Sequence, residues 1–264
     1  MPTLLEYFPG LKAIVLDMDG VLWRDKQPIG NLASIFKRIA DLGLKVVLAT
    51  NNGTKNVTEY QEKLDGFGVT LKEWQIINSA MACGSYLQEH FPQGGKLYVV
   101  GSPSLKDTLR NYGFEIVEEG VPVLAVVAGL DRQINYTKLR NATLQIYKGA
   151  VFIGTNPDRT FPTPEGLVPG AGSILAAIEA ATYTPPIIVG KPSPLLYNLA
   201  LERLGVNPQQ IIAIGDRYDT DIAGGIRAGI KTALLLSGVE DASRSSEWIP
   251  APDIIAQDLT ELLF

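Results

Sequence analysis

The chain has 264 residues, 46% of them hydrophobic, and a formal net charge of −5. That is enough for a substantial core in one large domain or two modest ones, and the acidic balance leaves no basic footprint for nucleic acid. One cysteine, Cys83, rules out a disulfide framework within the chain and fits a reducing cytoplasm; no apolar run approaches the ~20 residues of a membrane span, and "MPTLLEYFPG" lacks the features of a signal peptide.

In chain order, short apolar runs alternate with helical patterns. "AIVL" (13–16) comes first and ends in Asp17. Leu32, Ile35, Phe36, Ile39 and Leu42 then follow helical spacing, with Gly43 as a stop. "KVVLA" (45–49) leads into Thr50, and "KLYVV" (96–100) precedes Ser104 and Asp107, which predict a capping box. "VLAVV" (123–127) and "AVFIG" (150–154) follow, and "PIIVG" (186–190) leads into Lys191. Ser193 and Pro194 read as a cap and first turn before Leu196, Leu199 and Ala200, with Gly205 ending the helix. "IIAIG" (211–215) leads into Asp216, and "TALLL" (232–236) is the last such run. These runs lack polar alternation, as strands buried on both faces should, and strand–helix alternation predicts an α/β fold with parallel sheets.

Open α/β sheets bind ligands beyond the carboxyl ends of their strands. If "AIVL", "KVVLA", "PIIVG" and "IIAIG" share a sheet, Asp17, Thr50, Lys191 and Asp216 converge. The middle strands carry no such tips and predict a separate inserted α/β domain at 79–185, leaving 1–78 and 186–264 as the core. Asp17 and Asp19 on one sharp turn, with Asp216, Asp219 and Asp221 in "GDRYDTDI", form an acid cluster suited to a hard divalent cation such as Mg²⁺. Thr50, Asn51, Asn52 and Gly53 precede a helical segment and offer an anion cradle, and Lys191 adds a point positive charge. Together these suggest phosphoryl transfer, where a carboxylate nucleophile divides a high barrier into two steps.

"DMDGVL", "LATNNGT", "GKPSP" and "GDRYDTDI", in that order, resemble the four motifs of the haloacid dehalogenase (HAD) superfamily. The insertion after the second motif resembles its C2-capped branch. "IGTNPDRTFPTPEGLVPGAGSI" and "TDIAGGIRAGI" narrow the likeness to subfamily IIA, the NagD-like and 4-nitrophenylphosphatase-like group. The resemblance implies a Rossmann-like doubly wound core with a C2-type cap, and a Mg²⁺-dependent phosphatase acting on a small phosphorylated metabolite. It makes Asp17 the nucleophile and a metal ligand. Asp19 becomes the general acid and base, and its backbone carbonyl a further metal ligand. Thr50 and the amides of Asn51 and Asn52 hold the phosphoryl group, and Lys191 neutralises it and orients Asp17. Asp216 is the second metal carboxylate, Asp221 a supporting residue, and Asp219 has no direct role. Cap-mediated dimers occur in this branch, so a homodimer through the cap is compatible with it.

Other chemistries use the same fold: a phosphomutase or phosphotransferase, a metal-independent dehalogenase, or a non-catalytic phosphometabolite-binding protein. In the insert, "TNPDRTFP" places Asn156 and Asp158 where the resemblance implies contact with the leaving group, so both are expected to shape specificity. The histidine that the vertebrate pyridoxal-phosphate phosphatases of this branch carry in this loop is missing here. Gly170 and Gly172 fit helix entry or a substrate loop rather than a dinucleotide site, because position 175 is Leu. Trp23 is expected to pack beside the site, with substrate stacking as the alternative. His90, the sole histidine, reads as a helix-end residue, and the lack of a Cys/His cluster argues against zinc.

Overall fold

The computed structural model describes residues 4–118, 120–163 and 165–264. They form two compact units: 4–50, 57–77 and 192–264 make the first, and 51–56 with 78–191 the second. The first unit opens with α1 (Leu4–Tyr7), β1 (Ala13–Leu16), the short antiparallel pair β2 (Trp23–Arg24) and β3 (Gln27–Pro28), α2 (Leu32–Asp41), β4 (Lys45–Thr50), α3 (Val57–Asp65) and β5 (Ile76–Asn78). The second contributes α4 (Ser79–His90), β6 (Gly95–Val100), α5 (Pro103–Asn111), β7 (Phe114–Ile116), β8 (Ala125–Ala128) and α6 (Tyr136–Tyr147). It continues with β9 (Val151–Gly154), the hairpin β10 (Thr160–Thr163) and β11 (Gly166–Pro169), α7 (Ala171–Thr182) and β12 (Ile187–Ile188). The chain returns to the first unit with α8 (Leu195–Leu204), β13 (Ile211–Gly215), α9 (Ala223–Arg227), β14 (Lys231–Leu235), β15 (Ile254–Ala256) and α10 (Leu259–Leu263).

The first unit's sheet has the order β15-β14-β13-β1-β4-β5, with β1 parallel to both β4 and β13. Its central strands are buried on both faces. Alternate residues divide between two layers, as the period of two requires. Ile14, Leu16, Leu48, Ile212 and Ile214 join a core with Leu32, Ile35 and Ile39 of α2, Tyr60 and Leu64 of α3, and Leu259 and Leu262 of α10. On the other face, a Cβ added at Gly225 of α9 would meet the side chains of Ala213 and Thr232. Helices therefore cover both faces, the doubly wound arrangement that the buried runs predict. Asn31 caps α2 by accepting from the Ser34 amide at 3.0 Å, and Gly43 ends it at φ +70°.

The second unit has a parallel sheet of order β12-β9-β8-β6-β7. Tyr98, Val100, Val126, Ala128 and Phe152 pack on Ile146 of α6 and on Ile174 and Ile178 of α7. Four expectations change here. "PIIVG" does not join the first sheet; Ile187 and Ile188 pair with Ile153 and Gly154 of β9. The second unit accordingly reaches Lys191 rather than ending at residue 185, and it takes in residues 51–56 as well. The helix expected to be capped by Ser104 and Asp107 begins earlier. Ser102 is its cap, accepting from the Leu105 amide at 3.2 Å, and Pro103 fills the first position, where no N–H is needed. Asp107 pairs instead with Arg110, at 2.7 Å. For α8 the backbone cap is Pro194, and the Leu195 amide reaches Ser193 Oγ at 3.5 Å. No helix among the described residues is long and apolar enough to cross a membrane.

Candidate active site

Leu16 of β1 stands beside Ile214 of β13 and Leu48 of β4, so the residues that follow meet at one edge of the first sheet. The ladder runs one step further, with the Asp17 amide donating to the Ile214 carbonyl at 2.9 Å. The chain then turns sharply and Asp17 is left half-buried at the edge. Asp216 follows β13, and a five-residue π-helical turn (Tyr218–Ile222) brings Asp221 back towards it; π-turns of this kind recur at functional sites. Carboxylate oxygens of Asp17, Asp216 and Asp221 lie within 4.8 Å of one another. Asp216 and Asp221 are each only 2% exposed.

The backbone closes around these acids. Asp216 Oδ2 accepts from the Val239 amide at 2.9 Å, and Asp221 Oδ2 from the Arg217 amide at 3.1 Å. Tyr197 donates its hydroxyl to the Asp221 carbonyl at 3.0 Å. A Cβ on Gly20 (φ +82°) or Gly238 would overlap the Asp216 carboxylate, and one on Gly215 would overlap that of Asp221. Three like charges this close repel, and a cation among them offsets the repulsion. An all-carboxylate donor set suits a hard, oxygen-seeking divalent ion, so these residues fit Mg²⁺.

Asp19 stands outside that cluster and is exposed. Its Oδ1 accepts from Trp23 Nε1 at 2.8 Å, while Trp23 itself is 1% exposed and so cannot stack on a substrate. Thr50, ending β4, shares a side-chain hydrogen bond with Tyr60 of α3. Burial raises the Tyr60 phenol well above its ordinary range, the negative charges of Asp19 and Asp17 add to this, and the Thr50 bond opposes it. Tyr60 therefore stays neutral as a hydrogen-bonding partner of Thr50.

The second unit holds a different set. Asn51 clamps the Lys191 peptide from both sides: its Oδ1 accepts from the Lys191 amide at 2.7 Å, and its Nδ2 donates to the Lys191 carbonyl at 2.9 Å. The same Nδ2 reaches Asp158 Oδ2 at 3.3 Å. The Asn51 carbonyl accepts from Ser79 Oγ at 2.6 Å and from Asn156 Nδ2 at 3.0 Å. Asn52 Oδ1 accepts from the amide and the hydroxyl of Thr54, at 3.0 and 2.6 Å, and so shapes the loop locally. Asn156 is 8% exposed, and its Oδ1 accepts from the Asp158 amide at 3.2 Å. The Asn156 side chain thus holds both the Asn51 carbonyl and the Asp158 turn. Gly170 caps α7, and a Cβ on it or on Gly172 would strike backbone in 157–160, which makes both glycines helix-entry residues. His90 ends α4 and stacks on Tyr86 with ring centroids 4.0 Å apart.

The sequence profile of the haloacid dehalogenase-like hydrolases matches residues 14–115, and a second, HAD-hydrolase-like profile matches 188–262. The chain belongs to the HAD-like hydrolases. An acid sugar phosphatase of Staphylococcus saprophyticus is 32% identical to this HAD chain over 252 residues, covering 96% of each. Among solved structures, a 4-nitrophenylphosphatase from Thermotoga maritima superposes with a TM-score of 0.91 at 31% identity, over 97% of this chain and 98% of its own. NagD from Escherichia coli K-12 does so with a TM-score of 0.88 at 32% identity, over 95% and 98%. This places the chain in the NagD-like branch, subfamily IIA, of the HAD superfamily. Within this HAD hydrolase the expected residues form two sets: Asp17, Asp19, Thr50, Asp216 and Asp221 in the first unit, and Asn51, Asn52, Lys191, Asn156 and Asp158 in the second. Tyr60, Ser79 and the indole N–H of Trp23 are additions from the structure. Each acts on a partner remote in sequence or through one atom of an ordinary apolar residue, so no local pattern marks them.

Proposed function

We propose that this HAD hydrolase removes phosphate from small phosphate monoesters, sugar phosphates among them, with Asp17 as nucleophile and Mg²⁺ as its metal. The chain is a phosphoric monoester hydrolase. The observation that carries the mechanistic reading is the meeting of Asp17, Asp216 and Asp221 at the carboxyl edge of the first sheet. Its relatives are named for sugar phosphate and 4-nitrophenyl phosphate substrates, which supports the choice of substrate class.

In this reading an Asp17 oxygen attacks phosphorus as the bond to the leaving oxygen breaks, giving an aspartyl-phosphate. Asp19 delivers a proton to the leaving oxygen, then takes one from the water that hydrolyses the acyl phosphate. Thr50, the amides of Asn51 and Asn52, and Lys191 hold the oxygens of the transferring group. Asp216 and Asp221 join Asp17 in holding the cation, which when bound supplies charge neutralisation for an anionic nucleophile meeting an anionic substrate. Tyr60 holds the Thr50 hydroxyl in one orientation. Asp158, half-buried and bonded to Asn51, is the better of the two specificity candidates in its loop. The second unit acts as the cap that selects the leaving group, and the enzyme works in the cytoplasm.

The test is turnover of 4-nitrophenyl phosphate with and without Mg²⁺. Activity is expected to require the added metal, to vanish in EDTA and to be absent in Asp17→Asn. Turnover that survives both EDTA and that substitution would refute the reading.

A further inference from the structure

Trp23 does more than fill space. Its indole is 1% exposed, and a buried indole N–H needs an acceptor. The acceptor here is Oδ1 of Asp19, at 2.8 Å, a carboxylate that is itself exposed. An exposed carboxylate samples several rotamers, whereas one bonded to a donor fixed in the core is held in one. The hairpin backbone fixes the spacing between them. The Gly20 amide donates to the Trp23 carbonyl at 2.8 Å, and the Met18 carbonyl accepts from the Leu22 amide at 2.8 Å.

The indole is in turn held from α3. Lys63 Nζ sits 3.8 Å above the ring, and the ring of Phe67 lies 6.1 Å away. Lys63 Nζ also donates to the Asp25 carbonyl at 2.8 Å, at the tip of the hairpin, where Asp25 adopts φ +52°. One ammonium thus secures both the ring and the turn. A cation over the face of an indole draws electron density from it and sharpens its N–H as a donor.

We infer that Trp23 is the positioning residue for Asp19: its indole N–H, backed by Lys63, occupies Oδ1 and leaves Oδ2 to exchange the proton with the leaving oxygen. This rests on the acid–base role proposed for Asp19, and the two can be told apart by leaving-group dependence. A 4-nitrophenolate departs with little need of a proton, whereas an alkoxide does not depart without one. A residue that only packs lowers kcat/KM on every ester alike. A residue that aims the acid lowers it most on the poorest leaving groups.

The experiment measures kcat and KM for wild type, Trp23→Phe, Lys63→Met and Asp19→Asn on esters from 4-nitrophenyl phosphate to glycerol phosphate, with thermal unfolding of each variant. Trp23→Phe keeps an aromatic ring and removes the donor. It is expected to lose about tenfold more kcat/KM on glycerol phosphate than on 4-nitrophenyl phosphate, chiefly in kcat, in the pattern of Asp19→Asn. Lys63→Met keeps the indole N–H and is expected to show the same trend at about threefold. It carries the test if Trp23→Phe does not fold. A steep Asp19→Asn series with flat Trp23→Phe and Lys63→Met series would overturn the positioning role alone. A flat Asp19→Asn series would overturn the acid–base role and this inference with it.

Discussion

The two sheets obey the same physics and end differently. Both are parallel, with central strands buried on both faces, and both are covered by helices. Past β1 and β13 of the first sheet come Asp17 and Asp216, two carboxylates gathered with Asp221 within 4.8 Å. Past β6, β8 and β9 of the second come Ser102, Asp131 and Asn156. Each of these is spent inside its own unit: Ser102 caps α5, Asp131 binds Lys138 Nζ at 2.6 Å, and Asn156 holds the Asn51 carbonyl. A polar strand tip is therefore not a reactive one. What the edge of the first sheet adds is charge: three carboxylates gather there, where the second sheet's strand tips carry a capping hydroxyl, an ion-paired acid and an amide.

The largest test of that contrast is Asp17→Asn. Removing the proposed nucleophile is expected to lower kcat by about four orders of magnitude with the fold intact, measured by steady-state kinetics beside circular dichroism. Charge-neutralising Asp131→Asn in the second unit should cost stability and leave chemistry near wild type. Loss of kcat from Asp131→Asn comparable to that from Asp17→Asn would dissolve the contrast. Gly238→Ala comes next, because its Cβ would displace the Asp216 carboxylate. The Mg²⁺ concentration for half-maximal activity is expected to rise about tenfold.

Asn51→Ala removes the clamp on the Lys191 peptide. It should destabilise the protein by about 2 kcal/mol, since a buried N–H and C=O lose their partner, and should raise KM for phosphate esters. An unchanged melting temperature would contradict the clamp. The smallest effect concerns Tyr60, whose phenol burial raises well above the ordinary value. A phenol with a raised folded value keeps its proton when the unfolded chain has lost it. Stability should therefore fall as pH rises above about 10, and the fall should ease in Tyr60→Phe. Urea midpoints between pH 8 and 11 measure it; identical slopes in both proteins would remove Tyr60 from the account.

Much of this was legible in the sequence. All eight apolar runs contain strands, and all but "PIIVG" are largely buried, as their Val/Ile content suits; "PIIVG" gives only the short edge strand β12, where Ile187 is exposed. The α2 face and its Gly43 stop follow from spacing and left-handed backbone alone. The rest turned on one local signal and on pairings that sequence leaves open. Ser102 and Ser104 both sit at plausible caps, and Pro103 decides for Ser102 because it has no N–H to offer. "PIIVG" fits either sheet by composition, and only its pairing with β9 assigns it. Asp17 and Asp216 stand out by charge, whereas Tyr60 and Trp23 look like core residues until their hydrogen bonds to Thr50 and Asp19 are known.

In the proposed mechanism Asp17 becomes phosphorylated during turnover. Quenching the enzyme in acid while it turns over substrate, then reducing with borohydride, converts an acyl phosphate into the corresponding alcohol. Homoserine is expected at position 17 in the peptide map of wild type and none in Asp17→Asn. Reduction at another carboxylate, or none anywhere while phosphate is being released, would contradict it.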